Sequence, residues 1–155
     1  MFSEKNVIKI VKTCTIVIMS ILYVVIGFKH FTDPGIFLKI MPIFLKSFDL
    51  ELVYLSGCFE ILFGFLLLFK KSRKLASLGI ILLLIAVFPA NIYLYQNPEI
   101  LSIEKSKALV RLFFQAPLII IAFWHSKKNT SKLFSVFCIL LFIPTIIYFL
   151  TLSMN

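Results

Sequence analysis

Charged residues are scarce in this chain. They make up 15% of its 155 residues, against about 25% in typical soluble domains. Glycine is also rare, with five residues, whereas 61% of the residues are hydrophobic and 18 are phenylalanine. So apolar a composition excludes a water-soluble globule and is typical of a chain that lies mostly in lipid.

Cysteine is equally sparse, and its placement argues against redox or metal chemistry. Cys14, Cys58 and Cys138 stand far apart inside apolar runs, so they form neither a CxxC pair nor a local zinc site. We interpret them as small apolar residues, with a thiol role as the alternative. No paired nucleophile and base, metal-ligand cluster or Gly-rich phosphate loop is visible, so we expect no metal, no intrinsic cofactor and no self-sufficient hydrolase.

Five apolar stretches fill most of the chain, and each approaches the roughly 20 residues that cross a hydrocarbon core. Helices are expected because they pair their own backbone groups in lipid. We predict an all-α membrane protein with one domain over residues 1–155, a four-helix transmembrane bundle plus a peripheral fifth C-terminal transmembrane helix. The predicted helices are Ile10–Phe28, Leu50–Phe69, Leu75–Tyr95, Ala108–Trp124 and Leu133–Leu152.

The distribution of the basic residues predicts the orientation. Of 16 Lys and Arg residues, ten lie at the N-terminus and in the clusters at 70–74 and 127–132, and six lie in the alternate connectors. The positive-inside rule then places the N-terminus in the cytoplasm and the C-terminus outside. The basic clusters separate apolar runs and belong to no polar domain, so a lipid bilayer is the expected partner and nucleic acid is not.

The longest connector, Lys29 to Asp49, contains a turn-forming Asp33-Pro34-Gly35 sequence followed by an apolar strip. We predict a short interfacial segment over the outer mouth of the bundle, with a solvated loop as the alternative. At the other side, Trp124 and His125 are interpreted as an interfacial anchor.

Glu60 lies near the middle of the second predicted helix, ten positions after Leu50 and nine before Phe69. Ionised residues at this depth cost about 2.5–3.5 kcal/mol on an insertion scale, so an intramembrane acid is a candidate functional site. Small residues lie within one turn of it, as expected where membrane helices pack closely. They are Ser56, Gly57 and Gly64.

Polar residues on three other helices are predicted to form a column with Glu60. Tyr23 and His30 share a helix face, Asn91 closely follows Pro89, and Arg111 lies one turn before Gln115. We expect Arg111 to lean toward Glu60 directly or through Gln115. Interhelical hydrogen bonds that only hold the bundle together are the alternative. The candidate pocket residues are Tyr23, His30, Glu60, Asn91, Arg111 and Gln115.

Several segments resemble the DoxX-like family of small bacterial membrane proteins. They are Gly27–Pro34, Glu51–Leu62, Leu83–Tyr93 and Gln115–Pro117, and the resemblance runs from about Gly27 to Trp124. It implies a four-helix bundle in the bacterial inner membrane and singles out His30, Glu60, Asn91 and Gln115, without an agreed chemical role. The first loop, which reads Ile40-Met41-Pro42-Ile43 where the family tends to have Val-Pro-Pro, and the extra fifth helix depart from the family pattern.

The resemblance also implies a distant link to the small membrane subunit of thiosulfate:quinone oxidoreductase and to a membrane protein of methylamine dehydrogenase maturation. We therefore expect a membrane subunit whose outward-facing polar pocket binds a small amphipathic, quinone-like molecule in a redox assembly with a soluble or membrane partner. If it takes part in catalysis, it would be an accessory subunit of a quinone-linked oxidoreductase. The alternatives are a proton-coupled transporter using Glu60 and a non-catalytic assembly factor.

Overall fold

The computed structural model describes residues 4–154, with side chains described for residues 4–148, and this part of the chain is helical throughout apart from its connectors. The α-helices are α1 (Glu4–Thr32), α2 (Pro34–Lys39), α3 (Asp49–Leu66), α4 (Arg73–Gln96), α5 (Lys105–Phe113), α6 (Gln115–Ser126) and α7 (Lys132–Met154). Two 3-10 helices, Ile43–Phe48 and Pro98–Leu101, lie in the connectors before α3 and α5. The fourth predicted helix is thus divided at Phe114 into α5 and α6.

Within residues 4–154, three segments are long and apolar enough to cross a membrane: Glu4–Thr32, Arg73–Gln96 and Lys105–Ser126. A shorter apolar helix covers Lys132–Tyr148. The 18 residues of α3 span about 27 Å at a rise of 1.5 Å each, but this helix also carries three acidic residues. The long apolar helices indicate a multi-pass membrane protein in contact with the lipid bilayer.

Neighbouring helices pack in a closed sequence of pairs: α1 with α3, α3 with α4, α4 with α6, α6 with α7, and α7 with α1. Their inward faces form the main apolar core. Its fully buried members include Ile16, Met19, Leu67, Ile80 and Ile121.

The predicted peripheral position of α7 is wrong. This helix packs against both α6 and α1, and it buries Cys138, Phe142 and Thr145 along one face. Phe142 belongs to the main core. Helix α7 packs in the bundle although it lacks ionisable groups, because small and apolar side chains at helical spacing are sufficient for helices to pack in lipid.

The pair α1 and α3 cross in close backbone contact, which glycine allows. A Cβ atom built at Gly57 would lie 2.7 Å from His30 Cβ and 3.0 Å from the Gly27 carbonyl oxygen. Two turns further along α3, Ser20 Oγ donates a hydrogen bond of 2.7 Å to the Gly64 carbonyl. The predicted small-residue face is confirmed for Gly57 and Gly64, and it places the end of α1 directly against Glu60.

The connector between α1 and α3 lies over one end of the bundle, as the sequence predicts. Ile40 and Met41, just after α2, are buried. Ile40 packs with Leu94 at the end of α4 and Ala108 in α5. The connector therefore packs on α4 and α5, and α2 contacts both α1 and α3.

Candidate functional site

Glu60 is paired with His30 at the α1–α3 crossing. Glu60 Oε2 lies 3.1 Å from His30 Nδ1, and the two residues are 9% and 5% exposed. His30 Nδ1 also lies 2.9 Å from the Ile26 carbonyl oxygen. Because a carbonyl can only accept, the tautomer with the proton on Nδ1 donates to Ile26.

That geometry leaves the Glu60 carboxyl with unused hydrogen-bonding capacity. Oε2 is buried and has no hydrogen-bond partner among the described residues, despite its nearness to the imidazole nitrogen. The hydroxyl of Tyr23 is also buried and has no hydrogen-bond partner among the described residues. It lies within electrostatic range of Glu60. We call Tyr23, His30 and Glu60 the His30–Glu60 site.

Helix α2 closes this site. The Phe37 ring stacks on the His30 imidazole, with 3.6 Å between ring centroids and 20° between planes. Phe37 therefore covers one face of the buried His30 imidazole. Phe37 was not among the residues that the sequence singled out, although its place in the apolar strip after Asp33-Pro34-Gly35 indicated a covering segment.

The remaining predicted site residues form a second group. Arg111 Nε donates a hydrogen bond of 3.0 Å to Asn91 Oδ1, which joins α5 to α4. The expected approach of Arg111 to Glu60 is wrong: within residues 4–148 the ion pairs are His30–Glu60 and Glu4–Lys132. The Arg111 guanidinium therefore bonds to Asn91 and not to the Glu60 carboxylate.

Gln115 is 4% exposed and begins α6. Its Oε1 lacks a hydrogen-bond partner in the described part of the chain. Phe114, which separates α5 from α6, keeps helical backbone angles, yet within the described residues no hydrogen bond joins Gln115 to Arg111. The structure thus brings Tyr23, His30 and Glu60 together, pairs Asn91 with Arg111, and shows no bond from Gln115 to either group.

A further polar cluster lies at the opposite end of the bundle, where the sequence analysis expected none. Thr15 Oγ1 and His125 Nε2 are 3.0 Å apart. The Trp124 indole donates to Thr130 Oγ1 at 3.3 Å. Trp124 and His125 are 0% and 2% exposed, so the interfacial-anchor interpretation is wrong for both. Thr15, a polar residue inside an apolar run, was the available signal.

Two surface grooves are present away from these clusters. One, of about 300 Å³, lies between the first connector and the region around Pro89 in α4. The other, of about 190 Å³, lies where α5, α6 and α7 meet, near Pro117 and Pro144. Both are lined mainly by apolar side chains, and neither contains Tyr23, His30 or Glu60. Within the described residues, no three His, Cys, Asp or Glu side chains are grouped to hold a metal ion.

No curated protein and no solved structure matches this chain. Residues 19–126 match the family described as "Domain of unknown function (DUF8561)". The matched range begins within α1, ends with α6, and contains every residue of the His30–Glu60 site as well as Asn91, Arg111 and Gln115. Because the match covers well over half of the chain, the protein belongs to this family of unknown function.

Proposed function

We propose that this protein is a DoxX-like membrane subunit that binds a small amphipathic, quinone-like molecule at the His30–Glu60 site. The carrying observation is the buried Glu60 Oε2, which has no hydrogen-bond partner and lies 3.1 Å from His30 Nδ1. Leaving a buried polar atom unpaired costs about 1–3 kcal/mol. A ligand that supplies the missing bond would recover that free energy.

The chemistry of the site suits both redox forms of a quinone. A hydroquinone hydroxyl can donate to Glu60 Oε2, and a quinone carbonyl can accept from the Tyr23 hydroxyl. His30 lies beside the carboxyl, with 3.1 Å between Nδ1 and Oε2. In this proposal the site faces outward, the basic end lies in the cytoplasm of a bacterium, and electrons come from a separate redox partner.

The apolar core of the bundle favours a ligand-binding site at Glu60, in preference to a proton path across the membrane. Buried apolar side chains, including Ile16, Leu67 and Ile80, form the main core of the bundle, and the buried Ser20 hydroxyl among them is bonded to the Gly64 carbonyl. A proton-coupled transporter using Glu60 would need polar groups or water across this core.

The proposal is tested by ligand retention in a Glu60→Gln variant. We expect native mass spectrometry of the solubilised full chain to detect bound decylubiquinone, with affinity reduced about tenfold or more in Glu60→Gln, equivalent to about 1.4 kcal/mol. The matched control is Glu51→Gln, which removes an exposed acid from the same helix and should bind as the unmodified chain does.

Equal binding by Glu60→Gln, or no binding by the unmodified chain, would contradict the proposal. A stoichiometric protein partner recovered without any small-molecule adduct would instead favour the assembly-factor alternative.

Removing the Phe37 ring should open the site. We expect Phe37→Ala to increase the rate at which diethylpyrocarbonate modifies His30 by about tenfold or more, because the stacked ring covers the imidazole. Peptide mass spectrometry resolves this residue from the only other histidine, His125, which is buried elsewhere and should react slowly in both proteins.

Phe48→Ala is the control, because Phe48 belongs to the same connector and is 64% exposed. An unchanged His30 rate in Phe37→Ala would show that α2 does not limit access to the site.

A further inference from the structure

All of the net charge of the chain lies at one end of the bundle. This basic end comprises residues 4–12, 70–74 and 127–132 and holds ten cations and one acid, whereas the rest of the chain holds six of each. Two contacts join the first segment to the third: Lys12 Nζ donates to the Lys127 carbonyl at 2.7 Å, and Lys132 pairs with Glu4. In the second segment, Arg73 lies within electrostatic range of Lys12. The formal charge of +9 is therefore concentrated on one surface.

Acidic side chains of the protein neutralise little of this positive charge. Over residues 4–148, Lys132 is the one cation of the basic end that forms an ion pair. Arg73 instead donates to two backbone carbonyls just after the end of α3, at 3.0 Å to Leu67 and 3.1 Å to Leu68. Helix C-terminal carbonyls carry only partial negative charge, so they hold these cations in position and leave the surface positive.

Two of the cations also lie beside aromatic rings, one buried and one exposed. Lys12 Nζ is 5.1 Å from the centre of the Trp124 ring, and Lys127 Nζ is 4.6 Å from that of Phe123. Exposed apolar side chains adjoin them, including Phe123 at 43% and Leu75 at 65%. The surface thus offers fixed positive charge next to a lipid-facing apolar wall.

We propose that Lys12, Arg73 and Lys127 bind the phosphate of an anionic phospholipid at the basic end. A phospholipid matches both features, because its phosphate supplies the absent negative charge and its acyl chains lie along the apolar wall. Polybasic surfaces at the ends of membrane helices attract anionic lipid by about 1 kcal/mol per Lys or Arg. This site is separate from the His30–Glu60 site and does not depend on the function proposed there.

Trp124, the only tryptophan in the chain, provides the measurement. The full chain is placed in bilayers that contain either brominated phosphatidylglycerol or brominated phosphatidylcholine at equal mole fraction, and the quenching of Trp124 fluorescence by each lipid is compared. We expect phosphatidylglycerol to be preferred several-fold. The preference should fall about fivefold in Lys12→Gln, the factor that about 1 kcal/mol represents.

Lys127→Gln provides a second variant, because Lys127 is exposed and its backbone carbonyl, which accepts from Lys12, is retained. It should lower the preference by a similar factor while circular dichroism remains unchanged. Lys5→Gln is the matched control, since it removes an exposed basic-end charge that makes no contact with Trp124.

Three results would overturn the proposal. The first is no lipid preference in the unmodified chain, and the second is an equal fall in Lys5→Gln, which would indicate diffuse attraction without a site. The third is loss of the preference on adding millimolar inorganic phosphate at constant ionic strength, which would assign the three cations to a free phosphate ion.

Discussion

Replacing Gly57 by leucine should destabilise the bundle by about 3 kcal/mol, the upper end of the usual cost of overpacking. The new side chain would begin 2.7 Å from His30 Cβ and 3.0 Å from the Gly27 carbonyl. These atoms belong to the backbone or lie next to it, so they cannot swing aside as the end of a long side chain would. Helices α1 and α3 must therefore separate, which also moves His30 away from Glu60.

The loss is measured as the shift in the midpoint of unfolding by denaturing detergent, followed by circular dichroism. Gly35→Leu is the control. A Cβ atom at Gly35 has its nearest neighbour, Asp33 Oδ1, at 3.7 Å, so this change should cost within about 0.5 kcal/mol. Equal destabilisation by the two variants would show that the close crossing of α1 and α3 does not support the fold.

Truncating Trp124 to alanine should be the most costly change, at about 3–5 kcal/mol. The side chain is 0% exposed, its indole donates to Thr130 Oγ1, and Lys12 lies over its ring. Alanine would leave a cavity among α1, α6 and α7 and would remove both polar contacts. The same detergent unfolding measurement applies, because circular dichroism does not require the tryptophan.

The neighbouring Phe123→Ala variant separates burial from aromatic character. Phe123 is 43% exposed, so its removal should cost less than half as much. If both variants lost similar stability, Trp124 would be acting as a surface anchor, as its position near a predicted helix end first indicated.

Glu60 shows how far sequence reasoning reaches in this protein. Its depth in an apolar run and the glycines around it identified a buried acid on a close-packed face, and the structure confirms that burial. Its partner was predicted to be Arg111 but is His30. Helical spacing assigns residues to faces, whereas the partner depends on which faces meet, and the contact through Gly27 and Gly57 made α1 the neighbour of Glu60.

Trp124 and His125 illustrate the same limit at the other end of the bundle. An aromatic residue near the end of a predicted membrane helix is typical of an interfacial anchor. Both residues are buried here, and their contacts are with Thr15 and Lys12 of α1 and with Thr130 of the connector after α6. No pattern within 124–125 carries that information, since it depends on which helix lies against them.

The helical class, the location of most spans and the separation of charge could be read from composition and order alone. Lipid forces the backbone to pair within each segment, and charged residues are costly in the apolar core, so most of them collect in the connectors. The placement of Phe37 over His30, the pairing of Arg111 with Asn91 and the inclusion of α7 in the bundle required the tertiary structure. Apart from Phe37 and His30, these contacts join residues distant in sequence, and all of them arise from the shapes of helix surfaces that meet only once the chain has folded.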